Sequence, residues 1–244
     1  MTRGRLVGIA GLAVIVVAVV AVGVHLRQRP GAQPSPSSAS TSSVLVLTWA
    51  PSLCKVETSA SGCRSGSVGR RGQSFVLHGL WPQPRSQQYC DVPRKAADRE
   101  RKPLRLPPDL ASRLQAMMSD ADVMAPHEWY AHGTCSGVTP DQYFGIATGL
   151  AEQAMAILDP VFDRAVGRQL AARSVRDAVG TAIGSGAGSR VALACRDVRG
   201  EAPVVYEVRL SLPPVTQLRS GTSLAEALAA GPAVAPGCGQ ARVP

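Results

Sequence analysis

The chain lacks several features that mark common protein classes. It has no Cys-x-x-Cys pair among its six cysteines, no internal repeat, no long apolar run beyond one near its N-terminus, and only four histidines in 244 residues. A single apolar run excludes a multi-pass membrane protein. A composition of 45% hydrophobic and 18% charged residues excludes wholesale disorder and fits one to two globular domains. No acid precedes the folded region. Setting aside Arg3, Arg5, Arg27 and Arg29, the rest holds 22 Lys+Arg against 17 Asp+Glu, a net +5 within the formal +9. That mild basicity suits an anionic partner and equally suits plain solubility.

Leu6 to Val24 are nineteen residues without a charged or polar side chain, broken only by Gly8, Gly11 and Gly23. No Ala-x-Ala site follows, and the run exceeds the ~7–15 apolar residues of a cleaved signal, so residues 1–29 read as a membrane anchor or signal segment, the uncleaved transmembrane helix being favoured. Residues 30–43 are almost wholly Pro, Ser, Ala, Gly and Thr, and read as a flexible linker. The six cysteines are even in number and scattered, which points to disulfides in an oxidising, extracytoplasmic space. Export of the 44–244 domain follows, either anchored to the cell membrane or secreted after cleavage.

Val44 to Trp49 reads as a buried strand ended by Pro51, and Ser74 to His78 as a second ended by Gly79, with a Gly/Ser/Arg loop between them. Helical periodicity covers Asp109 to Met118, Thr139 to Leu158 and Ser174 to Ile183. The second of these opens with a capping box, Thr139-Pro140-Asp141-Gln142. Val191 to Cys195 and Val204 to Leu212 read as strands. Strands flanking a helical middle predict an α+β fold with a central antiparallel sheet and packed helices.

Three of the four histidines fall in two short stretches, His78-Gly79-Leu80-Trp81-Pro82-Gln83 and His127-Glu128-Trp129-Tyr130-Ala131-His132-Gly133-Thr134-Cys135. A lone histidine is most often structural; three sharing two of the three tryptophans, a Glu and a Cys indicate a site. His127 and His132 are five apart, about 140° around a helix at ~100° per residue, too divergent to chelate one metal ion. Glu128 and His132, four apart, share a face, so a carboxylate orienting a histidine is the better reading. Two histidines on different elements supply what phosphodiester transesterification needs: a base for a ribose 2′-hydroxyl and an acid for the leaving 5′-oxygen.

At these residues the sequence resembles the ribonuclease T2 family, whose active-site segments have the forms His-Gly-Leu-Trp-Pro and His-Glu-Trp-x-x-His-Gly-Thr-Cys. Both stand here in the family's order, with 43 residues between Gln83 and His127. The likeness extends over the entry strand Leu47 to Cys54 and the strand around Cys195. It implies a disulfide-stabilised T2-like α+β fold and an endoribonuclease of low base specificity. Such an enzyme acts on single-stranded RNA through a 2′,3′-cyclic phosphate, as a monomer without cofactor or metal, and has no DNA substrate, because DNA lacks the 2′-hydroxyl.

Carried over by position, the resemblance makes His132 the base and His78 the acid, with Glu128 polarising the phosphate and His132, and His127 binding phosphate. Trp81 takes the place of the aromatic that stacks on a base, Gln83 stands where many members have Asp for base recognition, and Tyr89 lines the same pocket. The implied disulfides are Cys54–Cys63, Cys90–Cys135 and Cys195–Cys238. Ala131 stands where relatives commonly have Lys, so a cation expected near the developing phosphorane charge is missing. Arg70, Arg71 and the basic stretch Arg85 to Arg105 are the candidate substitutes. Two rival readings are a catalytically impaired surface RNA-binding or effector module on the same fold, and a metal-dependent hydrolase.

Overall fold

A computed structural model describes residues 40–92 and 103–244. In chain order, β1 (Ser42–Trp49) runs into α1 (Ala50–Val56) and the one-turn α2 (Ser61–Arg64). β2 (Phe75–Gln83) comes next, then α3 (Pro108–Met117), α4 (Ala121–Ala131) and α5 (Pro140–Asp163). The remainder is β3 (Gln169–Ala171), α6 (Ala172–Ile183), β4 (Val191–Arg196), β5 (Val204–Leu212), α7 (Leu224–Ala230) and β6 (Gln240–Arg242). The readings for residues 1–29 and most of the linker lie outside the described residues. Of the linker, Ser42 and Ser43 already belong to β1, two residues ahead of the expected start at Val44. Among the described residues no helix is long and apolar enough to cross a membrane.

β1 sits between β2 and β5, antiparallel to both, and β4 adds antiparallel to the other edge of β5. β6 joins β5 by one parallel pairing, Val204 with Arg242, and pairs antiparallel with β3. The sheet is therefore mixed, though every other pairing between these strands is antiparallel.

Alternation along the strands divides the sheet into a core face and a site face. Leu45, Leu47 and Trp49 of β1, with Leu77 of β2 and Val208, Leu210 and Leu212 of β5, pack beneath α5, whose Tyr143, Phe144, Leu150, Leu158 and Phe162 are buried against them. The Trp49, Phe75 and Phe162 rings meet with centroids 4.6–5.1 Å apart. Such aromatic pairs add about 0.5–1.5 kcal/mol each beyond their buried area. That packing explains why α5 does not stop at Leu158 but continues through Pro160 to Asp163. The proline costs a helical hydrogen bond, and the extra turn seats Phe162 in the core. It also presents the Asp159 carboxylate to the Phe75 N–H (3.0 Å) and the Ser74 hydroxyl (2.9 Å), anchoring the start of β2. The capping box at Thr139 and Gln142 is formed as the sequence reads.

Gly79 does not end β2. Val46 pairs with Gly79 and Leu47 with Leu77, which leaves His78 as the extra residue of a β-bulge while the strand continues to Gln83. A bulge reverses the inside/outside parity of the residues beyond it. Leu77 and Leu80, three apart, both reach the core, and the same inversion puts Trp81 on the site face. The Gly/Ser/Arg segment expected as loop holds α1 and α2, because Pro51 near the start of α1 suits a first helical turn.

Three disulfides, Cys54–Cys63, Cys90–Cys135 and Cys195–Cys238, link the pairs that the resemblance implies. The second ties the turn after β2, where Tyr89 and Asp91 have φ of 57° and 58°, to the 3₁₀ turn after α4.

Candidate active site

The two histidine motifs meet on the site face of the sheet, around one carboxylate. α4 ends at Ala131, and His132 leaves the helix with φ −126° while its N–H still reaches the Glu128 carbonyl (3.0 Å). Glu128 is fully buried. Its Oε2 accepts from Trp81 Nε1 (2.8 Å) and lies 4.0 Å from His132 Nε2; its Oε1 lies 3.7 Å from His78 Nε2 and 4.0 Å from His127 Nε2. His127 and His132 thus converge on Glu128, contrary to the divergence read from helical spacing. Exit from the helix at His132 and the length of the side chains close the 140° gap. Among the described residues no group of three or more His, Cys, Asp or Glu side chains is placed to hold a metal ion.

Gly79 makes this approach possible, since a Cβ built there would lie 1.9 Å from Glu128 Oε2 and 2.9 Å from Trp81 Nε1. Behind it, the buried Tyr143 hydroxyl donates to the Leu80 carbonyl (2.7 Å) and accepts from the Leu80 N–H (3.3 Å), fixing the backbone between His78 and Trp81. The Trp81 ring lies near-parallel to His132 (centroids 5.1 Å, 25°) and edge-on to His78 (5.0 Å, 79°).

The two histidines experience opposite fields. Burial works against a charged His78, but the hydrogen bond from Nδ1 to Glu207 Oε1 (3.1 Å) and the charges of Glu128 and Glu207 outweigh it, holding its pKa above the ordinary histidine value. His132 is more deeply enclosed. Burial, with the positive potential of His127 and His78, pushes its pKa down to about 3. Its buried Nδ1 has no hydrogen-bond partner among the described residues, an arrangement that a neutral ring tolerates and a cation does not. The two environments are driven apart: the surroundings of His78 favour its charged form and those of His132 its neutral form.

Gln83 closes β2 two residues beyond Trp81 on the same strand face, its Nε2 3.4 Å from the Trp81 carbonyl. Tyr89 is joined to the second motif through its backbone, its N–H donating to the Ala131 carbonyl (2.9 Å). Ala131 itself is 1% exposed. Neither Arg70 nor Arg71 reaches the site: Arg70 donates to the Ser65 carbonyl and Arg71 to those of Gln115 and Met118. Of the Arg85 to Arg105 stretch, residues 93–102 lie outside the described residues.

Among the described residues, a cation that does reach the site is Arg209, which the motifs do not contain. Its guanidinium stands 5.8 Å over the Trp81 ring and binds Glu207. Glu207 and Arg209 are two apart on β5 and so project to one face, beside Thr48, which pairs with Glu207 across β1. The legible signal is the run Tyr206-Glu207-Val208-Arg209, in which two charges interrupt an apolar strand at the spacing of one face. A strand buried on both sides keeps such charges only when they are partnered.

Comparison with known proteins bears on the family and the fold. The model of the Ribonuclease T2 family matches residues 41–224. A ribonuclease of Aeromonas hydrophila is 28% identical over 109 residues, 45% of this chain and 44% of that protein. Ribonuclease 1 of Arabidopsis thaliana is 29% identical over 174 residues, 62% of this chain and 70% of that protein. The chain spans about half the length of the first curated relatives it matches. Among solved structures, a mutant of RNase MC1 in complex with 5′-GMP superposes with a TM-score of 0.54 at 22% identity, covering 77% of this chain and 97% of that one. RNase NT in complex with 5′-AMP gives 0.53 at 18%, covering 84% and 98%. An RNase-related protein from Calystegia sepium gives 0.53 at 17%, covering 85% and 98%. These structural likenesses show the fold.

Proposed function

The chain belongs to the ribonuclease T2 family, and on that premise we propose that it is an exported endoribonuclease that cleaves single-stranded RNA by transesterification through a 2′,3′-cyclic phosphate. The observation that carries this reading is the opposed ionisation of His78 and His132 across Glu128. His132, neutral, takes the proton of the ribose 2′-hydroxyl, and the freed oxygen attacks phosphorus. His78, protonated, gives its Nε2 proton to the 5′-oxygen as the P–O5′ bond breaks. Glu128, held by the Trp81 N–H, stands between the two rings, and His127 beside it contacts a phosphate oxygen.

Trp81 offers the aromatic surface for a base, a contact that tolerates any base identity and contributes about 1–3 kcal/mol. That underlies low base specificity, with Gln83 and Tyr89 at its margin. Six paired cysteines support an extracytoplasmic location, and Leu6 to Val24 would supply the membrane anchor or the cleaved signal.

The test compares single-stranded RNA, DNA and an oligonucleotide with a 2′-deoxy block at the scissile position, in excess EDTA. Cleavage of the RNA alone, with a cyclic-phosphate product, is the expected result. Loss of activity in EDTA would indicate a metal-dependent hydrolase, and intact RNA an RNA-binding or effector module on this fold. His78→Ala and His132→Ala should each lose about 10²–10⁴ in kcat; near wild-type rates in both folded variants would remove the assignment.

A further inference from the structure

The geometry points to Arg209 as a positioning residue that acts through Glu207 to hold the His78 ring as proton donor. This rests on the reading of His78 as the acid, and it adds two residues that neither motif contains. The Glu207 carboxylate is buried (2% exposed), and its two oxygens are divided between two partners. Oε2 takes both Arg209 Nε (2.9 Å) and Nη2 (2.7 Å), while Oε1 is left to His78 Nδ1 (3.1 Å). A carboxylate so enclosed stays ionised only if it is partnered. Burial alone would raise its pKa; the His78 hydrogen bond and the Arg209 contact instead hold it below the ordinary range.

Once Nδ1–H is committed to Glu207, the ring's orientation is fixed and Nε2 is turned towards Glu128 Oε1, 3.7 Å away. That is the logic by which a buried carboxylate orients an imidazole in other acid–base sites. Arg209 then does two things from one position. It keeps Glu207 charged, and its contact over Trp81 ties the β5 pair to the β2 motif. Among the described residues, the charged or titratable groups facing His78 are Glu207 with Arg209 behind it from β5, Glu128 and His127 from α4, His132 just beyond that helix, and Glu57 after α1; Thr48 Oγ1 is 3.4 Å from Nδ1. In the reaction the Nε2–H bond breaks and the 5′-oxygen gains that proton with the electron pair of the P–O5′ bond, while Nδ1–H stays with Glu207.

The experiment tracks the His78 ring by NMR titration in full-length protein, beside kcat and KM on RNA, for Glu207→Gln, Arg209→Gln and Arg209→Lys. Glu207→Gln should shift the His78 titration, and the basic limb of kcat/KM with it, to lower pH, because the compensating charge is gone. Arg209→Gln should shift both in the same direction, because the buried Glu207 loses the cation that keeps it charged and so supports a protonated His78 less. It should also lower kcat about 10–100-fold with KM nearly unchanged, the size expected when a supporting partner of a reactive side chain is removed. Arg209→Lys keeps the charge without the fork and should restore part of kcat; if Arg209→Gln does not fold, this variant carries the kcat and titration tests.

A rise in KM at constant kcat, with the His78 titration unmoved, would make Arg209 a direct phosphate ligand and overturn the proposal. So would an unmoved titration in Glu207→Gln. If wild-type protein leaves RNA intact, the proposed function fails, whereas the NMR shifts still decide the Arg209–Glu207–His78 relay.

Discussion

Glu128 Oε2 lies where a side chain on Gly79 would have to begin: a Cβ there falls 1.9 Å from that oxygen. Gly79→Ala must therefore displace the carboxylate around which His78, His127, His132 and Trp81 are arranged. Overpacking of this kind costs about 1–3 kcal/mol. The expected result is a lower melting temperature together with a loss of kcat larger than the stability change explains, checked by thermal denaturation and steady-state kinetics on one preparation. Wild-type kcat in this variant would show that Glu128 has no fixed role.

The pH dependence of kcat/KM should be a plateau spanning the ordinary histidine pKa of ~6.5. The acid limb reports protonation of the base. Burial and the charges of His127 and His78 place that event far below, towards about 3 for His132. The basic limb reports loss of the His78 proton, which Glu207 and Glu128 hold above the ordinary value. Both environments favour the form that the proposed mechanism needs, neutral His132 with protonated His78, and the two apparent values belong to the coupled pair. A narrow bell with one limb at the free-histidine value would contradict these environments.

Tyr143→Phe should destabilise the protein by about 1–3 kcal/mol, because it leaves the buried Leu80 carbonyl and N–H without the hydroxyl that serves both. Since Leu80 lies between His78 and Trp81, kcat should fall as well. Chemical denaturation measures the first effect. Activity assayed well below the melting temperature isolates the second.

Ala131→Lys does not simply restore the cation that relatives carry. The position is 1% exposed, and its carbonyl holds Tyr89. Forcing an ammonium into that space should lower the melting temperature by several degrees, on the scale of ~4–8 °C per kcal/mol for a small domain and less for a larger one. No gain in kcat/KM is expected. A gain at unchanged melting temperature would reveal an open path from residue 131 to the phosphate.

Much of this protein is readable from local order alone. The strand Val204 to Leu212 and the capping box at Thr139 come from apolar alternation and from hydrogen-bonding groups a few residues apart, which near neighbours in the chain settle between themselves. The same holds for the two histidine motifs, whose composition announces acid–base chemistry before any fold is known. The tertiary structure was needed for everything set by partners far away in sequence. Pro160 sits inside a helix because Phe162 finds Trp49 and Phe75. Gly79, which locally reads as a strand end, lies in a bulge that reverses the parity of β2 and brings Trp81 to the face of His78. His127 and His132, divergent on an ideal helix, converge because the helix ends between them. Which histidine has its charged form favoured and which its neutral form is also set by the fold. Ionisation depends on burial and neighbouring charge rather than residue type, and Glu207 and Arg209, more than a hundred residues after His78, are among the charges that set it.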